Sequence, residues 1–237
     1  MLSQPLADHA AAQTAGPALG QTEGLSLGHY GLSVPTMPAS MPFARNAEIY
    51  GENEPAKYFY KVVSGAVRTY RVLSDGRRQI AGFYLPGDIF GVECGETHSF
   101  SAEAITACRA LVIKRAGLVS LADRDSDIAR KLWTMTAREL QRAQGHVTLL
   151  VKTAQERVVG FLLDMAGRRD ASSNEIELPM SRQDIADYLG LTIETVSRTL
   201  TQLEKTEAIA VPTSRRIVLR NRAALDRMNG GSEEFEA

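Results

Sequence analysis

Residues 181–200 read SRQDIADYLGLTIETVSRTL. A serine followed three residues later by an acid, Ser181 and Asp184, is the pattern in which two side chains satisfy the unpaired N–H groups of a helix's first turn. A helix therefore starts there, with Ile185, Ala186 and Leu189 on one face. Gly190 suits the left-handed residue that ends a helix, and Thr192 suits the cap of the next. In that second helix Val196, Leu200 and Leu203 recur at i, i+4 and i+7 and fix the buried side. Glu194, Ser197, Arg198 and Thr201 then share the other face, the first three in its early turns. Helix, short turn, helix, with polar residues early in the second, is the arrangement that enters a DNA major groove. There Arg198 suits a bidentate contact to guanine, Glu194 accepts from a cytosine amino group, and Ser197 suits several bases or a phosphate. An exposed i,i+4 ion pair between Glu194 and Arg198, worth only a few tenths of a kcal/mol, is the plain alternative.

Downstream, IAVPTSRRIVLR (Ile209 to Arg220) reads as two short strands around Thr213, Ser214 and Arg215, a wing beside the helix pair. Arg215 and Arg216 are placed there to meet DNA phosphates, and Arg182, Thr192 and Thr201 are further candidates beside the helices. Upstream, Thr153 to Arg169 reads as an amphipathic helix with Val158, Phe161, Leu162 and Met165 apolar, followed by a connector or small strand in ASSNEIELP.

The spacing predicts a long helix over about Asp127 to Leu150. One face carries Ile128, Leu132, Met135 and Leu149, with Glu139, Arg142 and His146 filling the same series. A second carries Trp133, Ala137, Leu140, Val147 and Leu150. Such a helix is about 36 Å long at 1.5 Å per residue, more than a small domain needs for its own cover. Two apolar faces imply two packing partners, and a symmetric copy of the same helix is the economical second one. Packing wholly within one subunit remains open, because Glu139 and His146 interrupt the stripe.

From about Phe43 to Lys114 the texture is short β-branched and aromatic runs: YFYKVV from Tyr58, AVRTYRVL from Ala66, QIAGFYL from Gln79 and RALVIK from Arg109. Glycines punctuate them, and Ser74, Asp75 and Gly76 form a hairpin turn. This spacing predicts an antiparallel barrel or jelly roll. The fold class is therefore α+β: a 1–40 tail, a β-roll over 41–122, a dimerisation helix over 123–151, a winged helix-turn-helix over 152–228 and an acidic tail over 229–237.

With 237 residues, 44% of them hydrophobic, the chain holds one or two ordinary cores, and a formal net charge of −1 excludes a wholesale polybasic binder. Cys94 and Cys108, the two cysteines, exclude a disulfide scaffold and a four-cysteine metal site within one chain. Cys94 is a possible redox handle; Cys108 reads as a small core residue. His29, His98 and His146 are isolated and read as structural or solvated rather than as haem ligands. The start lacks the basic and apolar parts of a secretory signal, and no run of about 18 apolar residues can span a bilayer. A cytoplasmic protein without membrane contact is expected. No P-loop, G-x-G-x-x-G after a strand, G-x-S-x-G or spaced metal pair marks an enzyme.

The motif E-T-V-S-R within DIADYLGLTIETVSRTLTQLEK, together with LPGDIFG (Leu85 to Gly91), resembles the CRP/FNR superfamily of bacterial transcription regulators, most closely its FNR and FixK branch. The likeness runs from about Ala44 to Leu225. It implies a homodimer on double-stranded DNA, a TTGAT…ATCAA palindrome read by Glu194, Ser197 and Arg198, and recruitment of RNA polymerase as an activator. It also implies control of low-oxygen, nitrogen-fixation or denitrification genes.

The sensor end departs from the nucleotide-binding members. Val92 stands where they carry a ribose-binding glutamate, and His98-Ser99 falls near their phosphate-binding Arg-Ser pair. A buried phosphate without its arginine loses a strong charge-assisted bond. With no cysteine before Cys94, the chain also lacks the N-terminal cluster ligands of FNR. No cofactor is expected. A roll that binds an unidentified effector, or a redox gate, is the alternative.

Overall fold

A computed structural model describes residues 25–26, 33–34, 39–168 and 174–230. The expected tails, 1–40 and 229–237, lie outside the described residues except at 25–26, 33–34, 39–40 and 229–230. In the first of these, β1 (Leu25–Ser26) pairs antiparallel with β2 (Ser33–Val34).

The short apolar runs become β3 (Ala39–Phe43), β4 (Glu48–Tyr50), β5 (Tyr58–Ser64), β6 (Val67–Val72), β7 (Arg78–Tyr84), β8 (Ile89–Phe90), β9 (Ser101–Ala104) and β10 (Cys108–Lys114). They form two four-stranded sheets, ordered β3-β10-β5-β8 and β4-β9-β6-β7, with every pairing antiparallel. Alternation along the strands turns Ile49, Val62, Val67, Ala102, Ala104 and Ala110 into one shared, fully buried interior. The Ser74-Asp75-Gly76 turn joins β6 to β7 as the sequence predicts, closed by Leu73 N–H donating to the Arg77 carbonyl at 2.8 Å. Gly65 turns β5 into β6 at φ +80°, and a side chain there would collide with the Ala107 carbonyl oxygen.

Two boundaries differ from the sequence reading. The roll begins at Ala39 rather than at residue 41, because β3 pairs along one edge of β10 and an edge tolerates its Pro42. Helix begins at α1 (Arg115–Ala122), not after Ala122; its Gly117 and the brevity of the Leu118, Leu121 and Ala122 repeat leave little helical period to read.

Asp125 caps α2 (Ser126–Leu150), accepting from the Asp127 and Ile128 N–H groups. Ile128 and Met135 pack on Phe59, Ile89, Ile113 and Leu118. Further along the same stripe the polar residues find partners inside the subunit. Arg142 donates to Asp88 at 3.2 Å, and His146 Nε2 donates to the Tyr188 carbonyl at 2.8 Å with the two rings stacked. The second face is left in solvent: Trp133, Leu140 and Val147, seven residues apart, keep 76%, 59% and 65% of their surface.

The C-terminal part runs α3 (Ala154–Gly167), β11 (Glu175–Glu177), α4 (Arg182–Leu189), α5 (Ile193–Lys205), β12 (Ile209–Thr213), β13 (Arg216–Leu219) and α6 (Arg222–Met228). Thr153 and Glu156 close a capping box at the start of α3. The wing is three-stranded, ordered β11-β13-β12, with the anticipated connector supplying its third strand. Val158, Phe161, Leu162, Ile185, Leu189, Val196, Leu200, Leu203, Ile217 and Leu225 make the core, and Ala66, Ile80, Phe83 and Ile105 of the roll join it. The larger of these side chains each stabilise the fold by about 1.5–3 kcal/mol through burial.

Candidate nucleic-acid interface

The helix pair is built by the residues that announced it. The Ser181 hydroxyl accepts from the Asp184 N–H at 3.1 Å, while Asp184 Oδ2 accepts from the Ser181 N–H at 2.9 Å and from its hydroxyl at 2.8 Å. Gly190 ends α4 at φ +63°, a left-handed turn in which a β-carbon is strained. Thr192 caps α5, its hydroxyl accepting from the Thr195 N–H at 3.2 Å. Val196, Leu200 and Leu203 anchor α5 in the core.

The opposite face of α5 carries the sequence-predicted reading residues. Glu194, Arg198 and Thr201 are exposed and Ser197 is half-buried. The Glu194 carboxyl is held below the ordinary carboxylate range by its own backbone N–H, then by the Thr192 hydroxyl, with Arg198 adding a weaker pull. It is thus a charged acceptor at neutral pH. Among the described residues Glu194 and Arg198 form no close ion pair, and their coupling is the weaker pull of Arg198 on the carboxyl. Ser197, Arg198 and Thr201 line an open groove with Gln202 and Lys205, two polar residues the sequence reading missed. Their helical spacing from Arg198, i+4 and i+7, was the available signal.

Arg182 opens α4, half-buried, and Arg215 is exposed at the wing turn, its N–H reaching the Thr213 hydroxyl at 3.4 Å. Glu204 accepts from the Val211 N–H at 3.1 Å and so ties the wing to α5. Arg216 is engaged within the fold: its Nη2 donates to Glu175 Oε2 at 2.6 Å, and its Nε contacts Oε1. Thr192 and Thr201 use their hydroxyls locally, Thr201 donating to the Ser197 carbonyl at 3.0 Å.

In the roll, a cavity of about 470 Å³ opens toward α2, lined by Tyr50, Val92, Glu93, Ser99, Arg142 and Tyr188 among others. Glu93 accepts both donors of Ser99, the N–H at 3.0 Å and the hydroxyl at 2.8 Å. His98 is buried, stacked on Tyr50 with ring centroids 3.6 Å apart, and burial lowers its pKa. His146 is spoken for by Tyr188, and His29 lies outside the described residues. Cys94 is exposed in a loop whose Cys94 and Gly95 carbonyls accept from Arg115. Cys108 lies inside β10, its thiol pushed up to about 11 by burial. Among the described residues no group of three or more His, Cys, Asp or Glu could hold a metal ion, and no helix is long and apolar enough to cross a membrane.

Comparison with known proteins agrees with this geometry. Residues 156–228 match the Crp-like helix-turn-helix domain and residues 40–125 the cyclic nucleotide-binding domain. The nitrogen fixation regulation protein FixK of Azorhizobium caulinodans is 55% identical over 193 residues, 79% of this chain and 77% of that protein. The FixK protein of Rhizobium meliloti is 42% identical over 200 residues, covering 84% of this chain and 90% of its own. The solved structure of FixK2 from Bradyrhizobium japonicum superposes with a TM-score of 0.79 at 50% identity, over 82% of this chain and 98% of that one. A roll joined by a long helix to a winged helix-turn-helix defines a DNA-binding transcription regulator. The chain belongs to the CRP/FNR family, in its FixK branch.

Proposed function

We propose that the protein works in the cytoplasm as a homodimeric activator on a TTGAT…ATCAA-type palindrome, in control of nitrogen-fixation, denitrification or other low-oxygen genes. The observation that carries this is the outward face of α5, which presents Glu194, Ser197 and Arg198 together at the start of a well-capped helix. Arg198 reads a guanine, Glu194 a cytosine amino group, and Ser197 a neighbouring base. Arg182, Thr192, Thr201 and Arg215 meet phosphates, joined by Arg216 once a phosphate displaces Glu175. The exposed Trp133, Leu140 and Val147 stripe of α2 supports the dimer, since a second copy covers it isologously. The names of the FixK relatives support the physiological part, and an activator implies RNA polymerase as partner.

Control without a cyclic nucleotide is supported by the Glu93 carboxylate, which takes both donors of Ser99 and would repel a phosphate there. The roll cavity favours a second reading, an effector-gated regulator. A salt-controlled titration of additive-free protein against the palindrome and a scrambled duplex, reduced and oxidised, separates the two. Specific binding by the reduced, additive-free protein supports the first. Binding that ignores sequence refutes the base-reading roles, and specific binding only with an added effector supports the second reading.

A further inference from the structure

Two arginines of the roll reach into the DNA-binding domain. Arg68 on β6 donates through Nη1 to Asp184 Oδ1 at 3.0 Å, and Arg78 on β7 donates through Nη2 to the same oxygen at 2.6 Å. Arg78 also donates through Nε to Asp187 Oδ2 at 2.9 Å, one turn further along α4. Arg68 is itself fixed within the roll, donating to Glu103 of β9 at 2.7 Å. The other oxygen of Asp184 caps α4 through Ser181, and its side chain is only 4% exposed. One carboxylate therefore sets both where α4 begins and where it is attached to the roll. A second tether lies at the far end of α4. The Tyr188 carbonyl accepts from His146 of α2, the two rings stack at 4.0 Å, and Arg157 donates to the Leu189 carbonyl at 3.0 Å.

Apolar contacts alone would hold α4 on β7 without fixing its angle, because the hydrophobic effect is non-directional. Charge-assisted Arg–carboxylate bonds add geometric specificity, and a buried network is satisfied in few arrangements. The angle matters because α5 follows α4 across the three-residue turn of Gly190, Leu191 and Thr192. In a dimer joined through α2, the attachment of α4 to the roll sets the distance between the two α5 helices. Helix-turn-helix dimers read half-sites one helical turn apart, roughly 34–36 Å.

We infer that Arg68, Arg78, Asp184 and Asp187 form a clamp that sets the half-site spacing the dimer accepts. They are positioning residues: they determine spacing specificity without touching DNA. The inference rests on the reading of the protein as a palindrome-binding dimer.

The test uses full-length protein and a set of duplexes in which the two half-sites are at native separation or moved by one or two base pairs either way, plus a native-spaced duplex with scrambled half-sites. Arg78→Met removes the double contact, and Arg78→Lys keeps the charge but not the fork. Asp187→Asn removes one arm and leaves the Asp184 cap intact, so α4 still folds. Wild type is expected to lose affinity roughly tenfold or more when the spacing shifts by two base pairs, since the reading helices then leave their grooves. Arg78→Met is expected to flatten that penalty to within about threefold while keeping its preference for the true half-site over the scrambled one, because base-reading and spacing reside in separate residues. Arg78→Lys and Asp187→Asn should fall between. A variant series with the wild-type spacing profile overturns the clamp, as does a parallel loss of sequence preference and affinity at every spacing. Wild type that binds neither palindrome nor half-site specifically fails the reading of function itself, and the clamp falls with it.

Discussion

Leu140→Ala on α2 tests the dimer. The substitution removes three carbons, about 2.4 kcal/mol of burial at ~0.8 kcal/mol per carbon. Leu140 still shows 59% of its surface in the single subunit, so a covering partner gains only that share, about 1.4 kcal/mol. The isologous interface counts the loss twice, about 2.8 kcal/mol, which is ~100-fold in the dimer dissociation constant at 1.4 kcal/mol per tenfold. Alanine is the best helix former, so α2 itself survives and the effect reports on packing alone. Sedimentation equilibrium on wild type and variant reads the constant directly, and Trp133→Ala should weaken the dimer further. A shift of less than about threefold, far below the burial estimate, would place the second face of α2 outside the interface and undo the reasoning.

Arg198→Ala should cost about 1–3 kcal/mol per half-site and relax preference at one guanine, measured by titration against single-base variants of the site; equal losses on specific and random DNA would remove its base-reading role. Phe161, 1% exposed and edge-on to Phe83, should lower stability by about 3–5 kcal/mol when replaced by alanine, read from chemical denaturation with an unchanged slope. Burial holds the His146 pKa below its ordinary 6.5, so its contribution to stability is complete above 6.5 and lost as pH falls through the folded value. Denaturation midpoints should drop between pH 7.5 and 5.5, less so for His146→Gln; Glu139, whose carboxyl burial holds above the ordinary range, acts in the opposite sense at more acidic pH. A thiol-alkylating reagent at neutral pH should label exposed Cys94 within minutes and leave Cys108 unlabelled until the roll unfolds, a pattern mass spectrometry resolves.

The parts legible in the sequence are those whose physics is local. Ser181, Gly190 and Thr192 act within three or four residues of themselves, so the two helices and their turn could be placed by reading along the chain. The 3.6-residue period located α2, and it separated a face that meets its own subunit from one that does not. What escaped depends on distance along the chain. Nothing near Arg68 announces Asp184, 116 residues away, and nothing near Arg216 announces Glu175. His146 looked like an interruption of the α2 stripe because its partner, Tyr188, lies on α4, and Arg142 likewise reaches Asp88 of the roll. Strand β3, with its proline, and α1, with its glycine, form because neighbours hold them rather than because their residues favour them.

The core that Ala66, Ile80, Phe83 and Ile105 share with the helix-turn-helix also bears on how such regulators diversify. In linear order the roll and the reading head look like exchangeable cassettes. Their common interior makes them co-adapted instead, so transplanting a foreign head carries with it a mismatched apolar surface around Phe83 and Tyr188. New operator preferences are reached with less disruption by altering the exposed face of α5 than by trading whole domains. The seam behind that face is then expected to change only in concert, several residues at a time.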